Sequence, residues 1–186
     1  MLSGKEIARE VDNGRIKINP YTSDRVGPNS YDLRLSRQLK VYRLEFNPWG
    51  NAQQIQHLDT KEENATEDWF MPDDGLILVP NQLYLGHTVE IAGSNYYVPC
   101  IEGRSSIARL GVQVHMTAGF GDIGFIGQWT LEIQVAHPVK LYPDMRVCQI
   151  YFHQIIGDYD LYNGKYKNSK GVIPSRIRED IEFNNG

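Results

Sequence analysis

The chain has 186 residues, 41% of them apolar and 23% charged, with a formal net charge of −4 and two cysteines. That length suits one well-buried domain rather than two, and the acidic balance argues against a broad nucleic-acid surface, which needs a basic face. No apolar run approaches the ~20 residues that span a bilayer, and residues 1–10 hold no apolar signal core. A cytoplasmic domain without membrane or nucleic-acid partners is expected. A small polyanion is still allowed, because a site feels nearby charges more than the net value. Cys100 and Cys148 read as buried free thiols.

Residues 2–14 predict a helix with both ends specified. Ser3 and Glu6 form a capping box, Leu2 and Ile7 a hydrophobic staple, and Asn13-Gly14 a stop. Only a structural role is read for it. The apolar period then changes to two. Strands are predicted at 15–20, 30–36, 38–44, 75–80, 82–92, 96–103, 110–117, 127–135, 138–142 and 145–153, with Pro and Gly punctuation that suits a sandwich or barrel. Residues 45–75 read as a long polar, acidic excursion with one short strand near Trp69-Phe70. A helical turn is predicted at 105–110. Residues 157–186, rich in Gly, Lys, Tyr and Asn, read as a mobile arm that orders against a ligand or a neighbouring subunit.

The run Gly103-Arg104-Ser105-Ser106-Ile107-Ala108-Arg109-Leu110-Gly111 carries two guanidiniums and two hydroxyls on one turn. Ser105 or Ser106 can cap it, Gly111 ends it, and Ser105 and Arg109 share a face. It is either a phosphate cradle or a capped, solvated surface turn. Glu132 sits in the strict alternation of 125–135, on the face of Gln128, Thr130 and Gln134 and opposite Trp129, Leu131 and Ile133. It is either a solvent-side glutamate or a general base whose pKa rises with partial burial. His115 alternates with Val114 and Met116 and is read as structural. Tyr159, Tyr162, Lys165, Tyr166, Lys167 and Lys170 interleave rings and cations on the arm, which suits either stacking on a base over phosphates or a plain soluble terminus.

Three other chemistries are excluded. Gly119-x-Gly121-x-x-Gly124 has the dinucleotide spacing but opens a strand, which cannot offer a helix N-terminus to pyrophosphate. No histidine is followed two residues later by Glu, and Pro99-Cys100 has Gly103 where a zinc deaminase needs its second Cys. Gly164-Lys165 lacks the P-loop spacing. No zinc and no dedicated metal ligands are expected. Mg²⁺ would arrive on a polyphosphate.

Taken in order, these pieces resemble the dCTP deaminases of the dUTPase superfamily. The similarity runs through Leu2-Ser3, Pro28-Asn29-Ser30-Tyr31-Asp32-Leu33-Arg34-Leu35, Glu102-Gly103-Arg104-Ser105-Ser106, Thr117-Ala118-Gly119-Phe120, Thr130-Leu131-Glu132 and the tail Lys165-Tyr166 to Ile177. The resemblance implies a mainly β fold: a distorted, jelly-roll-like β-barrel with a short N-terminal helix and a flexible C-terminal arm over 157–186. It implies one domain over 1–186, a homotrimer with sites between subunits, and Mg²⁺ carried by the triphosphate.

By position it makes Glu132 the general base, with Ser105, Arg109 and Ala118 holding water. Arg104, Ser106, Gln149, Tyr162 and Lys165 take phosphate, and Asp122 takes the deoxyribose. Thr130 and Leu131 flank the base, and Ile107, Ala108 and Ser169 complete the substrate contacts. The reaction implied is dCTP to dUTP and ammonia. The Thr117-Ala118-Gly119-Phe120 wording resembles the bifunctional branch that continues to dUMP and diphosphate, which feeds thymidylate synthesis. A dUTP diphosphatase alone, or a non-catalytic nucleotide-binding barrel, are the alternatives. dTTP is the candidate feedback ligand. Ser169 stands where relatives often carry Gln, and Cys148 where Gly is frequent. Gly121-Asp122-Ile123-Gly124 stands where Ile-Asp-Pro-Gly is usual, which predicts a looser loop.

Overall fold

A computed structural model describes residues 1–43 and 57–180. Helix α1 (Gly4–Asp12) begins where the capping signal placed it, with the Ser3 hydroxyl accepting the Glu6 N–H at 3.3 Å. Leu2 and Ile7 are both buried against the barrel, and Gly14 leaves the helix at a φ of 71°. The Glu10 carboxylate is fully buried beneath it. The Arg15 guanidinium, assisted by Tyr97 and Asn13, overcomes the cost of burial and holds Glu10 well down, at about 2.

Eleven strands follow among the described residues: β1 (Ile16–Asn19), β2 (Tyr31–Arg34), β3 (Gln38–Tyr42), β4 (Thr66–Phe70), β5 (Leu76–Leu78), β6 (Tyr84–Ser94), β7 (Val98–Gly103), β8 (Val112–Gln113), β9 (Ile126–Val135), β10 (Val139–Leu141) and β11 (Arg146–His153). All pair antiparallel. The largest sheet runs β4-β3-β6-β9-β8, with β1 also on β6. A three-stranded sheet runs β2-β11-β7, and β5 and β10 make a ribbon. The inner faces enclose one core that includes Leu33, Leu35, Leu39, Leu131, Ile133, Ile150 and Phe152. This is the mainly β, jelly-roll-like architecture expected. Among the described residues no helix is long and apolar enough to cross a membrane.

Two elements differ from expectation. The strand at 110–117 is cut to β8, because residues 114–121 leave the large sheet and cross towards β7: Ile101 N–H bonds Gly119 O at 2.7 Å and Gly121 N–H bonds Pro99 O at 2.9 Å. The strand expected near Trp69-Phe70 spans all of β4, zipped to β3 from Gln38↔Phe70 to Tyr42↔Thr66. Residues 45–56 of the acidic excursion, and residue 44 of the strand expected at 38–44, lie outside the described residues.

The registers place the functional side chains. Across β6 and β9, Leu85 faces Glu132, His87 faces Thr130 and Ile91 faces Gln128. Across the smaller sheet, Gln149 faces Asp32 on one side and Glu102 on the other.

Candidate active site

Strand β9 buries Trp129, Leu131, Ile133 and Val135 and turns Gln128, Thr130 and Glu132 the other way. Those three side chains floor a cavity of about 550 Å³, within the usual range for small-molecule sites. One wall is the 118–122 loop, contributing Ala118, Phe120 and Asp122; another is Phe125, whose ring lies 4.8 Å from Trp129 and 6.2 Å from Tyr162. Leu83, Leu85 of β6 and Tyr42 of β3 also line the cavity. Gly121 is required here: a Cβ would sit 2.2 Å from the Trp129 ring. The loop expected to be loose is bonded down instead, by Gly121 to β7, Gly124 N–H to Ser94 O at 2.8 Å and Tyr162 N–H to Ile123 O at 2.8 Å.

Glu132 is half-buried, and desolvation pushes its carboxyl above the ordinary range. A long hydrogen bond from Met116 N–H, at 3.4 Å, and the nearby His115 oppose that shift only partly. His115 is itself tied through Nε2 to Glu102 at 3.3 Å, with Nδ1 buried and unbonded. The outcome is a carboxylate with an appetite for a proton, facing a mostly apolar cavity whose described walls carry no Lys or Arg.

The arm forms the roof. It is hydrogen-bonded to β3 and β9 of its own chain. Gln128 N–H bonds Ser169 O at 2.9 Å, Gly171 N–H bonds the Gln128 Oε1 at 2.7 Å, Ile173 N–H bonds the Thr130 hydroxyl at 3.2 Å and Ser175 N–H bonds the Tyr42 hydroxyl at 3.0 Å. Period-two side chains of β9 thus accept period-two amides of the arm, which places Ser169, Ile173 and Ser175 over the cavity.

The cavity therefore gathers Ala118, Asp122, Thr130, Glu132, Tyr162 and Ser169 from the sequence-predicted set. It does not gather Arg104, Ser105, Ser106, Ala108, Arg109, Gln149 or Lys165. Helix α2 (Ser105–Ala108) is capped by Arg104 without a side-chain hydrogen bond, so the serines lie inside the turn and do not cap it. Gly111, at a φ of 72°, ends it as expected. Arg104 and Gln149 instead stand on the polar face of the β2-β11-β7 sheet. Lys165 is taken by Asp180 within the arm. Ile107 and Leu131, 5% and 1% exposed, point into the core.

The cavity on β9 and the guanidiniums of the 104–109 turn thus lie on different parts of the chain. The profile of the dCTP deaminase-like family matches residues 1–155. This chain belongs to that family. Relatives named "dCTP deaminase, dUMP-forming" include one from Clostridium botulinum (strain Eklund 17B / Type B), 49% identical over 98% of this chain and 99% of its own length. Another, from Cytophaga hutchinsonii, is 46% identical over 98% and 99%. The crystal structure of 2′-deoxycytidine 5′-triphosphate deaminase from Agrobacterium tumefaciens aligns with a TM-score of 0.58 at 22% identity. It covers 81% of this chain, which spans about half (47%) of that one, and the likeness bears on the fold alone.

Within this dCTP deaminase-like chain, Gln128, Phe125 and Tyr42 are cavity residues that the motif reading passed over. For Gln128 a signal was present, since it shares the alternating face of Glu132. Tyr42 carried none, because only the pairing of β3 with β6 brings it alongside.

Proposed function

We propose that the protein deaminates dCTP hydrolytically and continues to dUMP and diphosphate. The observation that carries this reading is Glu132, a half-buried carboxylate raised above its ordinary range in a cavity sized for a nucleoside. In the proposed reaction, Glu132 takes a proton from water as its oxygen bonds cytosine C4, and returns it to N3. The tetrahedral carbon then expels N4 as ammonia, which leaves with a second proton relayed through the same carboxyl. A carboxyl whose proton affinity is raised by burial serves as base and then acid without a metal. Thr130 and Phe125 bound the pyrimidine, Asp122 takes the sugar, and the roof excludes bulk water.

Triphosphate recognition needs cations that the cavity walls of one chain do not present. The reading is therefore a homotrimer in which the Arg104-Ser105-Ser106 turn and Arg109 of one subunit close the cavity of the next. Guanidinium, hydroxyl and amide groups are donors suited to phosphate oxygens rather than to a bare cation. The described residues offer no cluster of three or more His, Cys, Asp or Glu for a metal. Mg²⁺ would thus ride on the nucleotide, spreading the charge of the phosphates.

The test is stoichiometry. Purified protein with dCTP and Mg²⁺ should yield one ammonia and one diphosphate per dUMP formed. Ammonia without diphosphate restricts the activity to dUTP formation, diphosphate from dUTP alone makes it a dUTP diphosphatase, and binding without turnover makes it a non-catalytic barrel. Adding dTTP to the same assay reads feedback as slowed release.

A further inference from the structure

The motif Pro28-Asn29-Ser30-Tyr31-Asp32 marks the family resemblance, yet none of its side chains lines the cavity. Its polar members meet residues that do have a proposed task. The Asp32 carboxylate, 18% exposed, lies 3.1 Å from Arg104 Nε through one oxygen and 3.7 Å from Arg146 Nη1 through the other. Arg104 Nη1 donates to the Arg146 carbonyl at 3.2 Å, and Arg146 Nη2 is anchored on Asp24 at 2.6 Å. Ser30, 8% exposed, donates its hydroxyl to Gln149 Oε1 at 2.8 Å, while Gln149 Nε2 donates to Gly103 O at 3.2 Å.

We infer that Asp32 and Ser30 are positioning residues for an oxyanion site: Asp32 aims the Arg104 guanidinium, and Ser30 aims the Gln149 amide, at the polyphosphate of a nucleotide. The inference rests on the functional reading above and deepens it. A free arginine side chain samples many rotamers, and fixing it on binding weakens affinity. Here Nε and one Nη are spent on the fold, while the side chain stays 32% exposed. The carboxylate also lets two guanidiniums stand side by side. Asp24 and Asp32 balance Arg104 and Arg146, so an anion is met by oriented N–H donors and not by excess charge. Gln149 follows the same logic. With Oε1 occupied by Ser30, its remaining N–H can only donate, which suits a phosphate oxygen.

The test uses the full-length assembled protein with Asp32→Asn, Asp32→Glu and Ser30→Ala. Asp32→Asn should raise the KM for dCTP about tenfold while kcat changes less than about twofold, and Asp32→Glu should recover most of the loss. Inorganic tripolyphosphate, used as a competitive inhibitor, should weaken in parallel because it reads the oxyanion site without the base. Ser30→Ala should give the same pattern at about threefold, and it carries the test should Asp32→Asn not fold.

The effect should persist at every Mg²⁺ concentration. An unchanged KM and tripolyphosphate Ki in folded variants would overturn the inference. So would a KM defect that excess Mg²⁺ erases, since Asp32 would then act on water around the ion and not on Arg104. Should wild type fail to turn over dCTP, the functional reading fails, while tripolyphosphate binding measured by calorimetry still decides the role of Asp32.

Discussion

Two surfaces of this barrel carry the proposed chemistry, and they are built on opposite principles. The β9 cavity is concave and mostly apolar, and holds one half-buried carboxylate whose charge nothing nearby fully compensates. The β2-β11-β7 face is outward and polar, with its polar groups bound to one another: Arg104 to Asp32, Arg146 to Asp24, and Gln149 to Ser30. A base for water attack needs an environment that raises its proton affinity, whereas a phosphate grip needs cations held ready in a wet setting. In the proposed trimer the two surfaces that meet belong to neighbouring subunits, so each can be built for its own task.

The contrast is sharpest at Glu132. Glu132→Gln should cut ammonia release from dCTP by roughly 10²–10⁴-fold while dCTP binding, followed by calorimetry, changes little. Wild-type kcat should fall on the acid side at an inflection above the ordinary Glu value of about 4.3, because the base must be ionised and burial raises its pKa. An inflection at or below that value contradicts the environment assigned to Glu132.

On the other surface, Arg104→Ala should lower kcat/KM for dCTP by about 10–100-fold, the range for a lost charge-assisted hydrogen bond. The loss should appear in KM and should leave the Glu132 inflection in place. A shift of that inflection would mean that Arg104 and Glu132 sense each other as neighbouring charges.

Smaller effects concern the roof and the fold. Gln128→Leu removes the acceptor for Gly171 N–H. It should raise the dCTP KM about fivefold, the effect of one hydrogen bond, and speed proteolysis within the arm. Glu132→Gln should also raise the melting temperature at neutral pH. A carboxyl whose folded pKa is raised contributes stability below its unfolded pKa and loses it as pH rises through the folded value. The gain in the variant should accordingly vanish below about pH 4, where the native carboxyl is protonated in both states. Differential scanning across pH reads the sign directly.

Much of this was legible in the chain itself, and unevenly so. Helix α1 could be read to its caps because capping is local, and β9 because its alternation is strict over ten residues. Glu132 was visible as the carboxylate on the polar side of that strand. Its burial was not, since it depends on Leu85 across the register and on the arm above. The shortening of the 110–117 strand was equally hidden, because hydrogen bonds to Pro99 and Ile101 on a distant strand pull the following loop away. Ile107 and Leu131 were assigned to the substrate by motif position, and their apolar side chains point into the core. The serines of the 104–109 turn suggested a cap, yet Arg104 takes that place without using its side chain.

The account stands on the two surfaces meeting across a subunit boundary, and mixing two impaired variants, assayed at dCTP well below KM, tests this most directly. Glu132→Gln and Arg104→Ala proteins, unfolded together and reassembled, should recover activity at about a quarter of the wild-type sites if trimers form at random, since some sites pair an intact Glu132 with a neighbour's intact Arg104. Co-assembled mixtures that show no more activity than the separate variants would contradict it.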